Sequence, residues 1–252
     1  MSEKDYTVPA LQRGLRILEM FDSQRRTMSQ AEMAEQLGVS TSSLYRIVQT
    51  LTNMQYLNKI GTNTYTLGTQ VVSRGFSYLA SREIVEVAAP FITRLRDSTS
   101  LSSHLGIRDG AETLYVFRAL ALQRLSVNVP LGTRFPCHTT AMGRALLMGM
   151  TPAELQTLYQ GQRIDGYPVP APQTMPELIA QCEKERSQGW SQHYSDYSTA
   201  LAVPIRNFTG NVVAAINISG PDPVMNSDAV RQQLIDALQD TAREIMRQLG
   251  GY

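Results

Sequence analysis

Three histidines and two cysteines are the residues best suited to metal binding or nucleophilic chemistry, and their spacing supports neither. His104, Cys137, His138, Cys182 and His193 are scattered, without the short intervals that a zinc site needs. Cys137 and His138 are adjacent at the start of a predicted helix, a poor arrangement for a thiolate–imidazole dyad. No glycine-rich phosphate loop and no nucleophile elbow occurs. Neither an enzyme nor a metal site nor a cofactor is therefore expected. The chemistry that the chain does offer is recognition by hydrogen bonds. Thr41, Ser42, Ser43, Arg46, Gln49 and Thr50 lie off the apolar face of one predicted helix. Hydroxyls and backbone amides at a helix start suit phosphate, and an arginine can reach guanine or phosphate. Lys59 and Arg13 are weaker candidates for backbone contacts. For each of them a solvated helix or strand face is the competing reading.

The helix that would carry these groups belongs to the stretch Ser29 to Leu51. Met33, Leu37, Leu44, Ile47 and Leu51 recur at three- and four-residue steps, which predicts two short amphipathic helices. Gly38 tolerates the left-handed conformation that ends the first, Val39 plugs the angle, and Ser40 is a good N-cap for the second. This is a helix-turn-helix pattern, whose second helix would lie in the major groove of DNA. An ordinary helical hairpin is the alternative. Val8 to Phe21 predicts a preceding helix with Ala10 or Leu11, Leu15, Leu18 and Phe21 on its apolar side. Met54 to Leu67 alternates apolar and polar residues around Gly61-Thr62-Asn63, a β-hairpin with a polar tip. Three helices closed by a hairpin make a winged helix-turn-helix, which favours the DNA reading. Thr69 to Ala80 follows as a linker helix with Val72, Phe76 and Leu79 on one side, a stripe suited to a partner chain.

Composition bounds the rest. At 252 residues with 42% apolar content the chain suits one large domain or two small ones. There is no signal-like N-terminus and no apolar run of about eighteen residues, so a membrane span is not expected. Two cysteines make no disulfide framework, which suits a reducing cytoplasm. The net charge of +1 gives no global basic field, so any DNA contact has to be local.

From Ser81 the character becomes α/β. A helix is predicted from Ile84 to Asp97, then strands at Leu101 to Arg108, Glu112 to Ala119 and Leu125 to Val129. Short helices follow at Thr139 to Met148 and after Thr151, whose Pro152 and Glu154 complete a capping box. Ile164 to Gln173 is proline-rich and loop-like. Met175 to Gln188 is a helix ended by Gly189. Strands are predicted at Trp190 to Asp196, Ala200 to Ile205 and Val212 to Ser219. The closing helix runs from about Ser227 to Leu249, capped by Asn226 or Ser227.

The whole chain from Val8 to Leu249 resembles the IclR family of bacterial transcriptional regulators. The resemblance rests on LQRGLRILEMF near the start, STSSLYRIVQTL at Ser40 to Leu51 and YTLG at Tyr65 to Gly68. Further on it rests on PLGTRFPCHTTAMGRALL at Pro130 to Leu147 and VVAAINISGP at Val212 to Pro221. It implies an α+β protein with a winged helix-turn-helix at 1–68, a linker helix at 69–81 and a GAF-like α/β effector domain at 82–252. It also implies homodimers or dimers of dimers on palindromic double-stranded DNA.

The segment Phe135 to Gly143 leads into a helix, and free amides there, at Ala141 and Met142 among others, can accept a carboxylate. The resemblance implies that amides in this segment bind a small organic acid. It places Asn217 and Ser219 on a facing strand as ligand-contacting side chains. Alternate strand residues that are merely exposed are the competing reading. The chain departs from the family after Gly189, where GWSQHYSDYSTALAVPI is shorter than usual. By position His193 replaces a pocket aspartate; that histidine would prefer an anionic or hydroxylated ligand, and Asp196 could restore the acid. His104 faces either the pocket or the core, and Trp190 and Tyr194 either wall the pocket or fill the core. The expected function is a ligand-responsive repressor of a small-acid or sugar-acid catabolic operon. The alternative is a metabolite-sensing protein whose helix-turn-helix makes protein contacts.

Overall fold

Ser29 and Ser40 start the two helices around which the first part of the molecule is built. The computed structural model describes residues 7–250 apart from 23, 81–82, 124–125, 196 and 226, with backbone alone at 76, 79 and 80. The chain divides into two compact units, Met1–Ser81 and Arg82–Tyr252.

In the first unit α1 (Pro9–Glu19) precedes β1 (Met28–Ser29), α2 (Gln30–Gln36) and α3 (Thr41–Asn53). Ser29 and Glu32 form a reciprocal capping box, with Ser29 N donating to Glu32 Oε2 at 2.6 Å. Gly38 takes a φ of +63° in the turn, and Ser40 Oγ accepts from Ser43 N at the start of α3. The Gln30 side chain donates to Thr41 O at 2.9 Å, tying α2 to the first turn of α3. β2 (Leu57–Lys59) and β3 (Thr64–Leu67) form the hairpin, and β1 adds a third strand against β3. Met28, Met33, Ala34, Leu44, Val48, Leu57 and Tyr65 close the core, with Leu37, Ile47 and Leu51 partly buried beside it. α4 (Thr69–Ala80) spans the predicted linker helix. The Phe76 and Leu79 side chains of its expected stripe lie outside the described residues.

The apolar side expected for α1 is corrected in part: Phe21 is buried and Leu18 packs against the core as expected. Leu11 and Leu15 are 62% and 54% exposed, whereas Gly14 and Ile17 are buried. The buried side of the helix runs through Gly14 and Ile17, with Ile47 of α3 close to Gly14, where an added Cβ would make ordinary contact at 3.5 Å.

The second unit holds α5 (Glu83–Thr99), β4 (Ser102–Asp109), β5 (Glu112–Ala119) and β6 (Arg134–Pro136). A single 3₁₀ turn at Cys137–Thr139 then leads into α6 (Ala141–Leu147), α7 (Pro152–Leu158) and α8 (Met175–Gln188). β7 (Ser191–Ser195), β8 (Ser198–Arg206), β9 (Val212–Pro221), α9 (Asp222–Met225) and α10 (Asp228–Gln248) complete it. The six strands form one antiparallel sheet in the order β6-β5-β4-β9-β8-β7. Successive strand residues alternate faces. Ala202 and Ala215 therefore pack under α6, while Leu201, Val203, Ile216 and Ile218 turn to the other side, where α5 and α10 cover the sheet. The Thr151 capping box and the Gly189 stop, at φ +81°, form as the residues predict.

The strand expected at Leu125 to Val129 is corrected. Leu125 lies outside the described residues, and 126–129 carry no strand. The edge strand is instead β6, paired Glu112 to Pro136 with β5. The alternating apolar residues Val127 and Val129 line a cavity rather than a sheet face. Among the described residues no helix is long and apolar enough to cross a membrane.

Candidate DNA-reading helix and effector cavity

Leu44 and Val48 bury one face of α3, which turns Thr41, Ser42, Ser43, Arg46, Gln49 and Thr50 to the exposed side. Hydrogen bonds separate these residues. Ser43 Oγ is held by Ser40 Oγ at 2.7 Å, and Thr50 Oγ1 donates to Arg46 O in its own helix at 2.7 Å. Gln49 Nε2 donates to Asn53 Oδ1 at 3.0 Å. The groups left to reach outward are Thr41, the Ser42 hydroxyl, which also meets Ser40 Oγ at 3.1 Å, and the Arg46 guanidinium. Tyr45, 56% exposed, shares this face and was not singled out from the sequence. An aromatic three residues after Ser42, off the Leu44–Val48 stripe, was the signal. Lys59 is exposed on the hairpin.

The second unit contains a cavity of about 550 Å³, the size of a small-molecule site. One wall is the sheet. Asn217 and Ser219 sit two apart on β9 and so share a face; Ser219 pairs with Ala200 of β8, which pairs with His193 of β7. That row puts a small alanine between two polar side chains and opens space between them. Ser219 Oγ and His193 Nδ1 are buried without a hydrogen-bond partner, and both residues line the cavity. Burial pushes the His193 imidazole down to about 4, with the Arg144 charge adding to the effect, so the ring is neutral near pH 7.

The opposite wall is the start of α6. Thr140 Oγ1 accepts from Gly143 N at 3.0 Å, and Ala141 and Met142 occupy the open first turn. Gly143 is required here, since a Cβ would stand 2.2 Å from Cys137 O. The Met142 side chain packs onto Gly106, whose added Cβ would strike its sulfur, and Met142 lines the cavity. Tyr115, Phe135 and Tyr167 supply aromatic surface, and the proline-rich segment 167–171 forms part of the wall. Tyr194 lines the cavity and Trp190 does not. Asp196 lies outside the described residues.

His104 is corrected. It is fully buried and stands behind the wall, with Nδ1 3.0 Å from Asn217 Oδ1 and its ring edge-on to Tyr115. A second buried feature escaped sequence reading. Arg144 Nε reaches both carboxylate oxygens of Glu185, at 3.0 and 3.1 Å. Its remaining nitrogens donate to His138 O and Gln192 O. Burial lifts the Glu185 carboxyl above its ordinary range, opposed by Arg144. This pair joins α6, α8, the 3₁₀ turn and β7 beneath the cavity.

Burial raises the Cys137 and Cys182 thiols to about 11 and 12, so neither is a ready nucleophile. Among the described residues no cluster of three His, Cys, Asp or Glu could hold a metal.

Known proteins match along the whole chain. The IclR helix-turn-helix domain model matches residues 10–61, and the model for the bacterial transcriptional regulator IclR C-terminal domain matches 76–247. The Pca regulon regulatory protein of Pseudomonas putida is 28% identical, over 96% of this chain and 84% of that protein. The transcriptional repressor AllR of Escherichia coli is 27% identical, over 96% of this chain and 90% of its own length. A solved Rhodococcus sp. RHA1 protein, described as a regulator of transcription, superposes with a TM-score of 0.85 at 29% identity, covering 97% and 99% of the two chains. An IclR homolog of Microbacterium hydrocarbonoxydans, solved with 4-hydroxybenzoate, shares the fold with a TM-score of 0.81 at 20% identity, over 95% of this chain and 98% of that one. With both domain models matched in order over nearly all its length, this chain belongs to the IclR family of bacterial transcriptional regulators, which are not enzymes.

Proposed function

We propose that this chain is a repressor whose α3 reads a palindromic operator and whose cavity takes a small organic acid that changes operator affinity. One observation carries the ligand class. Among the described residues no Lys, Arg, Asp or Glu lines the cavity, yet its wall holds the unpartnered Ser219 Oγ and His193 Nδ1. A lone buried polar atom is costly, so such atoms point to a partner that arrives with the ligand. A ligand with one oxygen-rich end and an apolar, planar body would satisfy them and lie against Tyr115, Phe135 and Tyr167. Thr139, Ser195 and Ser198 on the wall offer hydroxyls to a sugar acid as well, but the aromatic surface of Tyr115, Phe135 and Tyr167 favours a simple or aromatic monocarboxylate. Ala141, Met142, His193, Asn217 and Ser219 are the contact positions proposed.

On the DNA side Arg46, Ser42 and Thr41 make the outward contacts, with Lys59 on the backbone. The protein acts as a homodimer or a dimer of dimers in the cytoplasm. Val8, Leu11 and Leu15 leave an apolar stripe of α1 at least 54% exposed, and Val72 does the same on α4, which supports a partner chain. The acid must bind the DNA-competent and incompetent states with different affinities, or it would shift nothing.

The test is binding to the DNA upstream of the protein's own coding region, at stated salt, with and without 4-hydroxybenzoate and simpler acids. Phosphate contacts make the salt concentration decisive. Specific binding that one acid weakens supports the reading. Specific binding that no acid alters refutes the cavity's role, and an Arg46→Ala variant with unchanged affinity refutes the role of α3.

A further inference from the structure

We propose that His104 is a positioning residue: it fixes the Asn217 amide with its N–H donors toward the cavity and so makes that wall selective for ligand oxygen acceptors. The inference rests on the cavity being the effector site.

His104 and Asn217 are cross-strand partners on β4 and β9, which puts both side chains on the cavity side of the sheet. Their order in depth differs. Asn217 lines the cavity, while His104 is fully buried behind it, covered edge-on by Tyr115. The 3.0 Å contact between His104 Nδ1 and Asn217 Oδ1 has two chemical solutions. Either the ring donates from Nδ1 to the amide oxygen, or the amide is turned and donates to a bare Nδ1. The other ring nitrogen decides. His104 Nε2 is buried with no partner. In the second solution that nitrogen carries the proton, leaving a buried N–H with no acceptor, whereas the first leaves only a bare lone pair. Orphaned buried donors are rarer than under-used acceptors, and a neutral imidazole has one N–H to place. Burial keeps the ring neutral, its pKa down to about 4. Arg118, the charged residue paired with His104 on the β5 side, is engaged by Asn128 Oδ1 at 2.7 Å and adds to that effect.

With the proton on Nδ1, the Asn217 oxygen is occupied and its NH₂ is left facing the cavity. Among the described residues nothing accepts from that NH₂. Asn217, ordinarily able to donate or accept, becomes a donor only. A carboxylate gains from it; a primary amide presenting N–H does not.

Two measurements on the full-length protein test this. Nitrogen-15 spectra of the ring are expected to show neutral His104 protonated at Nδ1; protonation at Nε2, or an imidazolium near pH 7, overturns the proposal whether or not any ligand binds. Calorimetry then compares 4-hydroxybenzoate with 4-hydroxybenzamide. His104→Leu, which frees the Asn217 amide to turn, is expected to weaken the acid about tenfold and to shrink its preference over the amide. His104→Asn, which keeps a donor near the Nδ1 position, restores most of both. An unchanged preference in His104→Leu overturns the proposal. A wild type that binds neither probe, with Nδ1 protonated, refutes the aromatic-acid reading of the cavity and leaves the positioning of Asn217 supported.

Discussion

Breaking the Arg144–Glu185 pair should destabilise the effector unit more than deleting it. The two side chains are 3% and 1% exposed, so water cannot compensate either charge once its partner is gone. Removing one partner of a buried pair costs about 3–5 kcal/mol, and Glu185→Leu and Arg144→Met are each expected to fall in that range. The double variant loses the ion pair together with its desolvation cost. What remains unmet are the carbonyls of His138 and Gln192 and the Gln181 amide that now donates to Glu185, at roughly 1 kcal/mol each, offset in part by new apolar packing. The double should thus cost about 2 kcal/mol, less than either single change. Trp190 is the only tryptophan, so its fluorescence in a urea titration reports this unit alone. At fixed protein concentration, the single variants should also melt roughly 10 °C lower, at about 2–4 °C per kcal/mol for a unit of this size. Single variants that cost under about 1 kcal/mol, or a double variant as costly as the two singles together, would refute the reasoning.

Other outcomes follow from the same geometry. Arg46→Ala should weaken operator binding by about 1–3 kcal/mol, read by fluorescence anisotropy at two salt concentrations; a shallower salt slope identifies a phosphate contact and an unchanged slope a base contact. Ala200→Leu fills the gap between Ser219 and His193, and calorimetry should show acid binding reduced at least tenfold, about 1.4 kcal/mol, while binding to DNA without ligand is unchanged. Stability should fall on acidification between pH 6.5 and about 4. His104 and His193 titrate near 4 when folded and near 6.5 when unfolded, so unfolding takes up protons in that window and is favoured as pH drops. For the fully buried His104 this amounts to about 3 kcal/mol at 1.36 kcal/mol per unit, and for the less buried His193 to less. Urea titrations of wild type and His104→Asn across that range check it, and parallel pH curves would refute the assignment to His104.

The parts of this molecule that could be read from sequence are those specified by neighbours in the chain. Ser29, Gly38 and Ser40 carry the turn of the helix-turn-helix in their own backbone preferences, and Thr151 and Gly189 mark helix ends for the same reason. Asn217 and Ser219 are placed on β9 by the family resemblance, and their two-residue spacing then puts them on one face. What failed depended on contacts distant in sequence. On α1 apolar residues occur on more than one side, and packing against α3 and the rest of the core decides that Ile17, Leu18 and Phe21 turn inward while Leu11 and Leu15 do not. Val127 and Val129 alternate like a strand because they face a cavity, which imposes the same period as a sheet face. His104 could be placed on its strand but not in depth, because Asn217 and Tyr115 set that across the sheet. Arg144 and Glu185 look like helix-surface charges until α6 and α8 are seen to pack.

β9 carries core and cavity on alternate residues: Ile216 and Ile218 hold the sheet to the helices on one side while Asn217 and Ser219 face the cavity on the other. Selection can therefore act on the two sets separately. A single base change at either polar position alters the cavity wall and leaves the packing residues untouched, so descendants of one such regulator can reshape that cavity without first passing through an unstable ancestor.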